Sequence, residues 1–252
     1  HREKTFLEVC EEYLLGRQLT EATCKDYRRH MRKTLFKWAD KSFLSIDREM
    51  VERAYRDAVT RKVITATGAE RVLTAAQANQ AFRFARAVFN FAERYHGEDG
   101  RPLLGDNPVD VLSQGGLWRR VAQKNRYIKA SQLRPVWESL WRQSNVGRIQ
   151  NAETARDLLV LLMFTGLRLN EGRLLRWADV DMKEGVLTIP DPKNHMPHSL
   201  PFSDYLWSFF RRRQQMTGEN VWIFPSAVGG REKPITELRG VLDVVCAESE
   251  VM

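Results

Sequence analysis
The stretch Met163–Asp181 restricts this chain more than any other. An apolar run from Leu158 to Phe164 stops at Thr165-Gly166, and a second amphipathic pattern opens at Arg168 with Glu171 one turn later. Glycine is the residue that most readily ends a helix. The spacing therefore predicts two helices meeting at a tight corner with Arg168 at the mouth of the second. An arginine held by a rigid helix pair presents a fixed fork of donors suited to a phosphate.

The 252 residues include 43% hydrophobic side chains, enough for one large domain or two of ordinary size. No apolar run approaches the ~20 residues of a bilayer span. The start, His1-Arg-Glu-Lys-Thr5, is charged and leads into an amphipathic helix, so neither a membrane anchor nor a secretory leader is expected. Cys10, Cys24 and Cys246 are far apart and in no paired motif. That argues against a disulfide framework or a cysteine zinc site and fits a reducing cytosol. The net charge of +8 suits a polyanionic partner. Between Asp110 and Glu138 there is no acidic residue, whereas Arg119, Arg120, Lys124, Arg126, Lys129 and Arg134 all fall there. Opened by Ser113-Gln-Gly-Gly116, residues 113–130 read as a flexible or extended basic linker. Each phosphate it neutralises would release a counterion.

Residues 1–112 read as four helices: Thr5 capping one to about Leu15, Thr20 one from Glu21 to about Lys37, Asp47 one to about Thr60, and a long one from Ala69 to Tyr95. Candidate core on the second includes Ala22, Tyr27, Met31 and Leu35. Few residues there favour strands. Lys25, Arg28, Arg29, Arg32 and Lys33 line the outer face of the second helix. Arg83, Arg86 and Arg94, with Gln80 and Asn90, line the fourth. These are side chains suited to phosphates and base edges. From residue 131 the pattern mixes. Ser131 is expected to cap a helix to about Gln143, followed by a buried helix at Asp157–Phe164 and the Arg168 helix. Two short strands, Gly185–Pro190 and His198–Phe202, flank the turn-rich Asp191-Pro-Lys-Asn-His-Met-Pro197. Ser203 caps a further helix, and Ile235–Glu248 forms the last.

Thr165-Gly-Leu-Arg168, Glu171, Leu175, Trp177 and Asp179-Val-Asp181 together resemble the first catalytic-arginine box of the tyrosine recombinases, or phage integrases. The resemblance implies a mainly α fold with a small antiparallel β-sheet. A helical, SAM-like core DNA-binding domain (1–112) and the basic linker (113–130) would precede the first part of an integrase-type α+β catalytic domain (131–252). Residues 78–92 are similar to the last long helix of that core-binding domain, and Trp222-Ile-Phe-Pro-Ser226 to a short apolar family segment. In this family a tyrosine attacks a DNA phosphodiester, forming a 3′-phosphotyrosyl link and freeing a 5′-hydroxyl. By resemblance Arg168 would neutralise charge on the phosphate, Lys193 on its hairpin loop would help protonate the leaving oxygen, and Glu171 would orient the site. DNA contacts are expected from Lys25, Arg28, Arg29, Arg32, Arg83, Arg86, Arg119, Arg120, Lys124 and Arg126. Duplex DNA, other protomers in a DNA-assembled tetramer and DNA-bending accessory proteins are the implied partners. No cofactor or metal is expected, and the implied location is cytoplasmic, at the nucleoid.

The family's second box, His-x-x-Arg, and its nucleophilic tyrosine do not occur after Lys193. The expectation is a chain truncated before them and unable by itself to cleave DNA; the alternative is a non-catalytic DNA-binding protein derived from a degraded integrase. Tyr205, the last tyrosine, is a poor nucleophile candidate on a helix whose outward run reads Arg211-Arg-Arg213. A metal site at His195, His198 and Asp191 lacks a helical His-Glu-x-x-His frame. Gly229-Gly230 lacks the spacing of a phosphate-binding loop. A type IB topoisomerase shares the chemistry, but the domain order is that of integrases.

Overall fold
Side-chain oxygens set the helix starts in the N-terminal half by satisfying amides that would otherwise lack a partner. The computed structural model describes residues 3–60, 62–64, 70–97, 99–123, 127–143, 151–190, 196–227 and 233–251. Thr5 accepts from the Glu8 amide at 3.2 Å, and the Thr5 amide donates to the Glu8 carboxylate, opening α1 (Phe6–Gly16). Thr20 caps α2 (Glu21–Lys33). Asp47 accepts from the Met50 amide at 2.8 Å, opening α3 (Arg48–Thr60). Thr74 and Gln77 exchange bonds at the start of α4 (Ala75–Ala92).

The long helix therefore starts at Ala75 and ends at Ala92, within the expected 69–95. An antiparallel pair that the all-helical expectation lacked, β1 (Lys62–Ile64) and β2 (Glu70–Val72), precedes it with Lys62 opposite Val72. The β-branched pair Val63-Ile64 favours extended backbone, and Thr74 supplies the cap that places the helix start after the strands. A short helix α5 (Val111–Gln114) follows, and this first unit spans His1–Lys124.

The core of the first unit is built on α4. Ala78, Ala81, Ala85 and Ala92 alternate with Phe82, Phe84, Phe89 and Phe91, all buried. The small residues leave room for α1 and α3 to pack on this helix, and the rings fill the space between them. Phe6 meets Trp38 edge-on at 5.5 Å, and Tyr27 stacks on Phe84 at 4.4 Å. Met31 and Leu35 are buried as expected, whereas Ala22 is exposed.

The second unit, Asn125–Met252, contains α6 (Ala130–Arg142), α7 (Ala152–Thr165), α8 (Leu169–Arg173), α9 (Asp204–Thr217) and α10 (Arg239–Glu248). Its sheet has the order β3 (Val180–Asp181), β4 (Val186–Ile189), β5 (His198–Pro201), antiparallel throughout, with Ile189 opposite His198. Helix α6 starts one residue before the expected cap Ser131. The Lys129 amide instead donates to the Gln132 side chain at 3.0 Å. Helix α7 starts at Ala152, earlier than Asp157, and α10 at Arg239, later than Ile235. Ile235 is instead buried in extended backbone, its amide donating to the Phe224 carbonyl at 2.8 Å. Ser203 caps α9 as expected.

The run Arg211-Arg-Arg213 does not point outward as a set. Arg213 is fully buried, pairing with the fully buried Asp157 of α7 at 3.1 Å and donating to the Ile223 carbonyl at 2.7 Å. Arg212 reaches the same carboxylate at 2.9 Å, and Arg156 does so at 2.8 Å while donating to the Gln143 carbonyl. Removing one partner of a buried ion pair leaves the other charge uncompensated, typically costing about 3–5 kcal/mol. Asp157→Asn is therefore expected to destabilise the second unit by about 3–5 kcal/mol in urea unfolding. A loss below about 1 kcal/mol, the worth of an exposed pair, would mean that the cluster contributes no more than a surface salt bridge.

Candidate functional site
Arg168 stands at the corner between α7 and α8, and local chemistry accounts for that corner. Gly166 adopts φ +67°, the left-handed conformation that glycine takes without strain, and its amide closes α7 by donating to the Leu162 carbonyl at 2.9 Å. Thr165 keeps its hydroxyl inside the helix, donating to the Leu161 carbonyl at 2.7 Å. Gly172 then lets α8 lie close on α7, since a Cβ there would sit 2.7 Å from Leu162 Cδ2.

Glu171 fixes the arginine at two points. One carboxylate oxygen accepts the Arg168 amide at 2.9 Å and the other accepts Arg168 Nη1 at 2.8 Å. The Glu171 side chain is 9% exposed, whereas that of Arg168 is 63% exposed. The guanidinium is thus anchored on its protein side with donors left toward solvent. It borders a cleft of 590 Å³ lined also by Asn170, Leu174, Asp179, Ile189 and Pro190.

The rest of the motif holds the exit of α8. The Arg176 amide donates to Asp179 at 2.8 Å, and the Trp177 indole donates to the Thr217 carbonyl at 2.9 Å. Asp181 accepts the amides of Lys183 and Glu184, both at 2.9 Å, forming the turn into β4. Lys193, with Asp191 and His195, lies outside the described residues, as do Lys124 and Arg126. Tyr205 stacks on Phe164 at 4.3 Å with Trp137 edge-on, and burial pushes its phenol above the ordinary value. It is part of an aromatic cluster. Among the described residues no group of His, Cys, Asp and Glu is arranged to hold a metal. Likewise no described helix is long and apolar enough to cross a membrane.

The basic side chains of the first unit divide by what they already touch. On α2, Lys25 is exposed, Arg28 grips Glu11 of α1 at 3.0 Å, Arg29 pairs with Asp26 at 3.1 Å, and Arg32 donates to the Arg28 carbonyl. On α4, Arg86 pairs with Asp110 at 2.7 Å and Asn90 accepts from Asn107, and just beyond its end Arg94 lies over Phe91 at 3.6 Å. These three bind within the unit, which the outward reading of that face did not anticipate. Arg83 lies over the Trp118 ring at 5.9 Å, close in sequence to exposed Arg119 and Arg120. The stretch opening the expected linker is ordered. The Trp118 indole donates to Ser113 at 2.9 Å, and both backbone polar groups of Arg119 bond to side chains of α3 and α4. Nothing local in the sequence points to this attachment, because its partners lie 40 and 64 positions away.

Residues 137–241, which include the Arg168 corner and the three-stranded sheet, match the model of the phage integrase family. Over this stretch the chain is similar to the phage integrase family. The chain is also similar to prophage integrase IntZ of Escherichia coli (strain K12), 28% identical over 136 residues, which cover 53% of this chain. The chain matches about a third of the length of that relative, 31%. In fold it is similar to the Tn1549 transposon integrase in complex with transposon right end DNA: TM-score 0.69, 16% identity, 97% of this chain and 78% of that one. It is likewise similar to a lambda integrase dimer bound to a COC' core site: TM-score 0.64, 15% identity, 98% of this chain and 63% of that one. These likenesses extend the integrase fold over the helical first unit, which the family match does not cover.

The corner separates stability from chemistry in a measurable way. Glu171→Ala removes the side-chain acceptor at the start of α8 and should lower stability by about 1 kcal/mol. Arg168→Ala, acting on an exposed side chain, should stay within about 0.5 kcal/mol of wild type. Urea unfolding of both variants checks this. A loss of several kcal/mol in Arg168→Ala would mark the arginine as a structural residue.

Proposed function
We propose that this chain acts in site-specific recombination of duplex DNA, cleaving and rejoining strands through a phosphotyrosyl intermediate. The observation that carries this reading is Arg168, anchored by a nearly buried Glu171 and open to solvent on a cleft within the integrase-family region. In the proposed reaction the tyrosine oxygen bonds to phosphorus and the 5′-oxygen leaves. Negative charge grows on the non-bridging oxygens as phosphorus becomes five-coordinate. A guanidinium that stays charged and binds oxygens in pairs stabilises that state more than the ground state. Glu171 holds the fork in place and is not the base, since its oxygens already accept from Arg168.

Lys193 is assigned to protonate the leaving 5′-oxygen. Pro190 lines the cleft, and three residues reach at most about 11 Å along the chain, so the connection from cleft to lysine is short. We assign the second guanidinium and the nucleophilic tyrosine to protein outside residues 1–252. The lambda and Tn1549 integrases of similar fold are described in complex with DNA, lambda integrase as a dimer on a core site and as a tetramer on a Holliday junction. By analogy this chain would clasp a duplex and work in an assembly of protomers. Its first unit would contribute Lys25, Arg28, Arg29, Arg32, Arg83, Arg86, Arg119 and Arg120, with Lys124 and Arg126 continuing along the backbone. Arg28 and Arg86 would exchange their carboxylate partners for phosphates, a low-cost exchange at exposed pairs.

A nicked suicide DNA substrate tests the reading. Residues 1–252 should bind it, with affinity falling about 10³- to 10⁵-fold from about 50 to 200 mM salt for six to ten phosphate contacts, yet form no covalent adduct. The protein encoded by the whole reading frame should form the adduct, and Arg168→Ala should reduce its rate by about 10²- to 10³-fold. Binding without adduct by the whole protein would favour a DNA-binding role alone. An adduct formed by residues 1–252 would overturn the assignment of the nucleophile.

A further inference from the structure
The stretch after α5 is held by a closed ring of three hydrogen bonds. The Arg119 amide donates to the Tyr55 phenol oxygen at 2.7 Å, the Tyr55 hydroxyl donates to Asn79 Oδ1 at 2.5 Å, and Asn79 Nδ2 donates to the Arg119 carbonyl at 2.9 Å. Tyr55 comes from α3 and Asn79 from α4, and both are nearly fully buried. The pair satisfies both backbone groups of Arg119, as a neighbouring strand would. Around this point Trp118 packs edge-on against Tyr55 at 5.7 Å and Arg83 of α4 lies over Trp118. A groove of 410 Å³ follows, lined by Arg56, Trp118, Arg119 and Arg120, with Glu52 as its one acidic wall residue.

Two buried side chains spent on one backbone position of an otherwise exposed segment fix where its side chains stand. Resting on the proposed DNA-binding reading, we propose that Tyr55 and Asn79 are positioning residues for the DNA interface. The ring makes Arg119 and Arg120 a fixed part of the first unit's phosphate-binding surface, beside Arg56 and Arg83, rather than the start of a free tether. The ordering cost of these arginines is then met on folding and not on binding, which raises affinity for a polyanion.

The test uses residues 1–252 and a duplex of fixed sequence, with binding measured across a salt series. Tyr55→Phe removes the hydroxyl and keeps the ring. It should weaken binding about fivefold near 0.15 M salt, the counterion-release contribution of about one phosphate contact, and flatten the log–log salt slope by about 0.9. Asn79→Ala should do the same. In an Arg119→Gln/Arg120→Gln background, Tyr55→Phe should have no further effect. A merely structural role for Tyr55 would give the same loss in both backgrounds. A loss independent of the two arginines, or no loss at all, overturns the proposal. Hydrogen exchange of the Arg119 amide, measured without DNA, should accelerate in Tyr55→Phe while the α3 and α4 amides stay protected. Unchanged exchange overturns the ring alone, whereas a wild-type chain that binds no duplex overturns the DNA-binding reading and this role with it.

Discussion

The second unit depends on one buried carboxylate. Asp157 lies on α7, takes three arginines, and through Arg213 connects to the Ile223 carbonyl. The Ile223 amide in turn donates to the Leu175 carbonyl at 3.1 Å, just beyond α8. One side chain thereby ties down the helix that enters the Arg168 corner and the strand-like segment beside the chain that leaves it. A hydrophobic contact would bury these elements equally well, but it would not fix their register. Directional bonds to a backbone carbonyl do. The Trp141 ring, 4.8 Å from the Arg156 guanidinium and 5.2 Å from that of Arg212, covers two of the cations on the solvent side.

The first unit solves a different problem, namely how to carry many cations on a small helical body. Much of that charge is bound internally: Arg28 to Glu11, Arg86 to Asp110, and Arg94 to Glu12 and the Phe91 ring. Exposed pairs of this kind add little stability and are screened by salt. Their effect is to hold guanidiniums in defined places while lowering self-repulsion. The positions around Trp118 differ, because there the backbone itself is fixed by buried partners and the arginine side chains remain outward.

What could be read in the sequence was local. The Arg168 corner is encoded within a few residues: the end of an apolar run, a glycine able to adopt positive φ, and Glu171 three positions after the arginine it holds. Caps at Thr5, Thr20, Asp47 and Ser203 were legible for the same reason, since each acts on an amide three residues away. What escaped was long-range. Arg213 sits in a run of three arginines that any surface reading would place in solvent; only the position of Asp157, 56 residues earlier, makes its burial possible. Pairing of Arg86 with Asp110, and the bonds of Tyr55 and Asn79 to Arg119, likewise join elements whose proximity is set by helix packing. The strand at 70–72 escapes because the helical pattern reads backward past Thr74 to Ala69, and that at 62–64 because three residues are too few to show a period.

The proposed chemistry requires Arg168 to meet a DNA phosphate, and neutral-backbone scanning tests this most directly. Single methylphosphonates are placed at successive positions of a bound duplex, and binding is compared between wild type and Arg168→Ala. At one or two adjacent positions, loss of the phosphate charge should weaken wild type, by about fivefold near 0.15 M salt, and leave the variant unaffected. Identical profiles for the two proteins at every position would show that Arg168 touches no phosphate and would contradict it.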